Sequence, residues 1–258
     1  MTVPTLRAPR AERLVLGATL AVAAAAWLLL AVAARVPALA SLHRPHGTAV
    51  AGVDPLVFLL AWLVMVAAMM LPPSVDYVLV LHRLLAARPH RGRLALAGIG
   101  AYVAVWVAVG GLLQLVDVAV VAASDRWAWL GERPHLPVAA VLAVAGAYQL
   151  APVKLRCLRA CRSPAGFVAR GWHGRTPGLD AARIGVAYGW SCVGCCWALM
   201  SLMVVAGLAS LWLMAGLAAV MVAERRLPGF ERAVPALGAG LLLAAAMVAL
   251  GLFPAVAA

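Results

Sequence analysis

Five cysteines carry the chemistry this sequence offers: Cys157, Cys161, Cys192, Cys195 and Cys196. They fall into two clusters. The first is a C-x3-C pair set among Lys154, Arg156, Arg159 and Arg162. The second is a C-x2-C-C group inside an apolar run, in Gly189-Trp190-Ser191-Cys192-Val193-Gly194-Cys195-Cys196-Trp197. Thiolates, with thioethers beside them, select soft ions, Cu(I) above all and zinc next. On a helix, Cys192, Cys195 and Cys196 share an arc of about 100° and Met203 lies inside it. Gly185 and Gly189 share the same face and would let a second helix approach. Cys157 and Cys161 stand at i and i+4, one face of a helix that continues past Pro152. Positive neighbours favour the thiolate, which suits a reactive dithiol or a soft-metal pair. The second apolar run adds Met65 and Met69, which share a face with Trp62 as candidate thioether ligands. The packing alternative is that small cysteines serve helix contacts and methionines fill gaps. Asp54 and Asp117 read as helix-end residues close to water.

These residues must be positioned by membrane helices. Hydrophobic residues make up 66% of the chain and charged residues 12%, with a mean hydropathy of +0.99. Soluble domains carry about 25% charged residues, and disorder requires low hydrophobicity. Seven apolar runs approach the ~20 residues of a transmembrane helix: 14–34, 53–72, 94–116, 136–153, 184–206, 208–223 and 234–254. The expected fold is therefore all-α, a polytopic transmembrane bundle forming one multi-pass domain over 1–258. The fifth and sixth runs read as a tight hairpin at Gly207, since one helix over both would be about 60 Å long against a core of about 30 Å. The connection 154–183 is the one long enough to hold structure of its own.

Charge placement orients the bundle. With seven spans and a cytoplasmic N-terminus, 17 of the 21 Lys and Arg residues fall on the cytoplasmic side and 4 outside, as the positive-inside rule requires. The net charge of +12 is thus orientation charge. It does not call for nucleic acid, and it faces anionic lipid. The C-terminus is expected outside, and the location is the bacterial cytoplasmic (inner) membrane. The first run could instead be a cleaved signal peptide, but its apolar stretch of about 20 residues exceeds the usual ~7–15. The odd cysteine count on the cytoplasmic side argues against structural disulfides. No H-E-x-x-H, no G-x-S-x-G and no paired mid-span carboxylates appear.

Three segments together resemble a family. They are Ala67-Ala68-Met69-Met70-Leu71-Pro72-Pro73, then Tyr148-Gln149-Leu150-Ala151-Pro152-Val153-Lys154 leading into Cys157, Cys161, Arg162, Ser163 and Pro164, and Gly194-Cys195-Cys196-Trp197-Ala198-Leu199-Met200. In order and spacing they are similar to the bacterial predicted metal-binding integral membrane proteins, long catalogued without a function. The resemblance implies metal binding, with Cys157, Cys161, Cys195 and Cys196 on the family's motif positions and Cys192 just upstream. The expected activity is soft-metal handling, copper before zinc, or maturation of a partner metalloprotein. The rival expectations are a membrane thiol–disulfide oxidoreductase, a transporter of metal or small solutes, and a structural partner subunit whose cysteines only pack. Expected partners are the lipid bilayer and a membrane or metalloprotein subunit.

Overall fold

A computed structural model describes residues 8–36, 54–133, 135–206 and 211–252, and these contain helices and no strands. In chain order they are α1 (Ala8–Ala33), α2 (Pro55–Leu85), α3 (Arg91–Arg126), the short α4 (Ala128–Gly131) and α5 (His135–Leu150). Then follow α6 (Pro152–Cys161), α7 (Ala165–Gly171), α8 (Pro177–Ala206), α9 (Leu211–Arg226), a 3-10 turn (Phe230–Arg232) and α10 (Val234–Ala249). Each of the seven apolar runs corresponds to a helix. The fifth and sixth are separate helices, and the hairpin expected at Gly207 lies outside the described residues. Five helices are long and apolar enough to cross a membrane, or six if α5 and α6 count as one broken span. At 16 residues, α9 is not among them.

Two of the boundaries that differ from expectation involve proline. The second run does not stop at Pro72; α2 continues through Pro72 and Pro73 to Leu85. A proline lacks the N–H that would bond to the carbonyl four residues back. For Pro72 that carbonyl is Ala68 O, and the indole Nε1 of Trp27 in α1 donates to it at 3.1 Å. The partner from α1 replaces the missing helical bond, so the helix survives. The fourth run ends at Leu150, and after Ala151 the chain turns by 70° into α6. Pro152 stands at the first position of α6, where its missing N–H is harmless.

Close helix approach is made by glycine. A Cβ on Gly185 of α8 would collide with the carbonyl oxygen of Gly98 in α3, and one on Gly189 would press on Val105 at 3.1 Å. The glycine face expected of α8 is therefore the face that α3 occupies. Elsewhere, Gly146 of α5 and Gly238 of α10 meet reciprocally, each Cβ position 2.8–2.9 Å from the other's carbonyl oxygen. Asp54 caps α2 by accepting from the backbone N–H of Leu56 and Val57 at 2.8 and 3.3 Å. Asp117 corrects the reading as a helix-end residue: it is buried inside α3, which runs on to Arg126.

Candidate metal centre

The sulfur site lies where α6 folds back against the middle of α8. The connection 154–183 does hold structure: α6 and α7 both pack on α8. Three contacts fix α6. Lys154 Nζ donates to both carboxylate oxygens of Glu224 in α9, at 2.8 and 2.9 Å, and both side chains are buried. Arg162 donates to the backbone carbonyl of Glu224 and pairs with Glu231 at 2.6 Å. Ser191 of α8 donates to the carbonyl of Cys157 at 3.1 Å. The cations around the C-x3-C pair are thus largely committed to carboxylates, with Arg159 also 3.5 Å from Glu231. Their effect is to clamp α6 onto α9, rather than to serve the thiols directly as the sequence suggested.

Clamped this way, α6 presents both cysteines to α8. Cys161 is buried, and its Sγ stands 3.9 Å from Cys195 Sγ. Cys157 is half-buried and packs on Gly194, where an added Cβ would sit 2.6 Å from its sulfur. Gly194 is therefore needed for Cys157 to reach α8. Tyr148 of α5 donates to the carbonyl of the same glycine. Cys195 and Cys196 both donate to the carbonyl of Cys192, at 3.1 and 2.8 Å. Cys192, itself fully buried, thus supplies the one backbone carbonyl that both neighbouring thiols share. All five cysteines are free thiols.

The thioether that meets a cysteine is Met70 of α2, whose Sδ is 3.7 Å from Cys196 Sγ. The stripe of Met65 and Met69 was the sequence-based candidate. Both are fully buried, as is Met203, but the cysteine contact belongs to Met70, about 100° further round α2 than Met69. Ser74 and Tyr77, four and seven residues on, mark this face, because polar groups in an apolar span point where partners are.

A polar string runs from the thiols toward the arginine-rich end. Cys192 Sγ and Tyr102 OH are 3.5 Å apart, and Tyr102 OH and Ser74 Oγ 3.2 Å apart. Arg225 donates to Ser74 Oγ at 3.0 Å and to Tyr188 OH at 2.9 Å. Tyr188 stacks on Tyr77 at 4.3 Å between ring centroids, and Phe167 of α7 meets it edge-on at 5.7 Å. Composition assigned Arg225 to membrane orientation, yet its guanidinium folds inward. The tyrosine layer escaped the sequence reading, because single tyrosines on three different helices have no linear spacing.

Among the described residues, no three His, Cys, Asp or Glu side chains close on one point as a ready-made metal cage. The sulfurs meet in pairs. Two sulfurs bound to one ion at about 2.3 Å each stand about 3.8 Å apart in a tetrahedral site and up to about 4.6 Å apart when opposed. The separations of 3.9 and 3.7 Å fit a shared ion with little movement. A site assembled from thiol pairs and one thioether suits a soft monovalent ion better than the closed four-ligand site of structural zinc.

The family model described as "PpoB2: Copper chaperone" matches residues 59–248, from α2 into α10. No curated protein and no solved structure matches the chain. The match takes in all five cysteines, Met70 and the polar string, and the chain belongs to this copper-chaperone family.

Proposed function

We propose that this copper-chaperone family member holds monovalent copper as cargo on the thiols of α6 and α8, and passes it to a partner metalloprotein. The observation that carries this reading is the meeting of Cys161 with Cys195 and of Cys196 with Met70, at 3.9 and 3.7 Å, on adjacent residues of α8. Two sulfur pairs from three helices then lie side by side on α8. Cys192 joins them as the third thiol of α8. Cys157, half-buried at the rim, is the thiol an incoming ion meets first. Each thiol that ligates gives up its proton, so loading releases protons. Three free thiolates at this depth would be strongly disfavoured, and a bound cation makes them tolerable.

The test is elemental analysis of the full chain purified in detergent under reducing conditions, after growth with copper and zinc. Copper bound to the parent and absent from Cys195→Ser/Cys196→Ser, with helicity unchanged, is the expected result. A parent without copper, or a double variant that keeps it, defeats the reading. The 3.9 Å approach of Cys161 and Cys195 also favours a second reading, a thiol–disulfide pair. A metal-free chain whose two thiols change their labelling with the thiol–disulfide poise would support that alternative.

The proposal includes insertion in the bacterial cytoplasmic membrane as seven spans, with α9 among them. It is supported by the apolar helices and by the 17-to-4 division of basic residues. A reporter after Ala258 should read external and one near Gly174 cytoplasmic. A cytoplasmic C-terminus would overturn this topology.

A further inference from the structure

Methionine is distributed unevenly over the bundle. The sequence has 9 methionines. Seven of them line α2, α8 and α9, and all seven are 0–1% exposed within one hydrophobic cluster: Met65, Met69 and Met70, then Met200 and Met203, then Met214 and Met221. Helices α1, α3, α5 and α6 contain none, and α10 has only Met247. Gap filling does not account for this. Where α1, α3 and α5 need apolar bulk, the chain uses Leu, Val and Ala.

The positions also align. On α8, Cys192, Cys196, Met200 and Met203 lie within about 80° of arc, so the thiol face continues into a thioether face over about 10 Å of rise from Cys196 to Met203. On α9, Met221 and Met214 share one face with Arg225, and Met214 lies about 10 Å further from the arginine-rich end than Met221. Helix α9 packs against both α2 and α8, and Met70 joins α2 to the cysteines at 3.7 Å. Neutral thioethers bind Cu(I) without adding charge and more weakly than thiolates. A row of them therefore offers steps a soft monovalent ion can enter and leave.

We propose that the methionines of α2, α8 and α9 form a path along which copper moves from the thiol site toward the end of the bundle opposite the arginines. This rests on the copper-site reading and adds vectorial transfer to it. The chain is then a conduit as well as a carrier, specific for soft monovalent ions. Hard divalent cations find no oxygen ligands among these seven side chains.

The experiment uses proteoliposomes of the full chain with a membrane-impermeant Cu(I) chelator inside and Cu(I) supplied outside in thiol buffer. Copper per chain is measured in parallel in detergent. The parent should load the chelator, and Met200→Leu/Met203→Leu/Met214→Leu should retain bound copper while transfer falls at least tenfold. Met247→Leu should transfer like the parent. Met214→Leu alone, at the far end of the row, should slow transfer and serves where the triple change disturbs folding. Parental transfer by a copper-loaded methionine variant overturns the path and leaves the site standing. So does a loaded parent that transfers nothing. A parent that binds no copper overturns both.

Discussion

Two helix contacts in this bundle use the same device for different ends. Gly146 and Gly238 bring α5 and α10 together, and Gly185 brings α8 against Gly98 of α3. Along the first pair of helices the buried cluster is Val138, Ala139 and Val248, and the one buried polar side chain described there is Gln149, beside Gly238. Along α8 and the helices packed on it lie thiols, thioethers, three tyrosines and a buried ion pair. Lipid is as apolar as leucine, so glycine contacts in a membrane are stabilised by close packing rather than by escape from water. Apart from Gln149, the buried side chains described on α5 and α10 are apolar. The α8 side adds polar and charged groups that packing alone does not require, and each is costly in an apolar setting unless it is partnered. That difference separates scaffold from site.

The largest expected effect tests this separation directly. Cys195→Ser/Cys196→Ser should lower copper per chain to background with little change in melting temperature. Gly146→Val, forced against the carbonyl of Gly238, should do the reverse, lowering melting while the folded fraction keeps its copper. Loss of copper from the folded Gly146→Val chain would show that the two regions are one cooperative unit.

Next in size is the ion pair that holds α6. Lys154→Met leaves the Glu224 carboxylate buried without its cation, and breaking a buried pair in this way costs about 3–5 kcal/mol. Because α6 carries Cys161, copper should be lost with it. Replacing both partners, Lys154→Met/Glu224→Leu, should recover most of the stability. Copper should return as well, because Arg162 still binds the backbone carbonyl of residue 224. Thermal unfolding in detergent and elemental analysis read the two effects. A double variant as unstable as the single would mean that the pair is needed for more than mutual neutralisation.

Much of this division is visible in the sequence, and the reason is local. Apolar runs of membrane length specify the helices, the tight spacing of Cys192, Cys195 and Cys196 puts them on one arc, and Gly185 and Gly189 mark a close approach. What is missing depends on the third dimension. Periodicity along α2 singles out Met65 and Met69, but only the docking of α2 beside α8 selects Met70. Arg225 looks like one more arginine at a helix end until Ser74 and Tyr188, from two other helices, are seen to receive it. Pro72 and Pro73 read as a helix stop because the partner that rescues Ala68 O lies 41 residues earlier, on α1.

A smaller effect separates two glycines on one helix. Gly238→Ala places a methyl 2.9 Å from the carbonyl oxygen of Gly146, and such overpacking costs about 1–3 kcal/mol. Gly240, two residues on, has open space at its Cβ position. Gly240→Ala should be neutral or stabilising by up to about 1 kcal/mol, from helix propensity alone. Equal melting temperatures for the two variants would remove the glycine contact from the account of α5 and α10.

The smallest effect concerns the rescue of the proline helix. Trp27→Phe keeps an aromatic ring against α2 but removes the Nε1 donor, so Ala68 O loses the bond that replaced the one Pro72 cannot make. The expected cost is about 0.5–1.5 kcal/mol, the worth of one such hydrogen bond. That range overlaps the lower part of the one given for Gly238→Ala, which makes the pair informative. Met70 lies between Ala68 and Pro72, so a loosened α2 shifts the thioether that touches Cys196, whereas a loosened α10 does not. Copper should therefore leave Trp27→Phe for a competing chelator a few-fold faster than it leaves the parent, and leave Gly238→Ala at the parental rate. If the two variants match in both stability and release rate, copper retention follows global stability, and the position of Met70 on α2 is not what sets it.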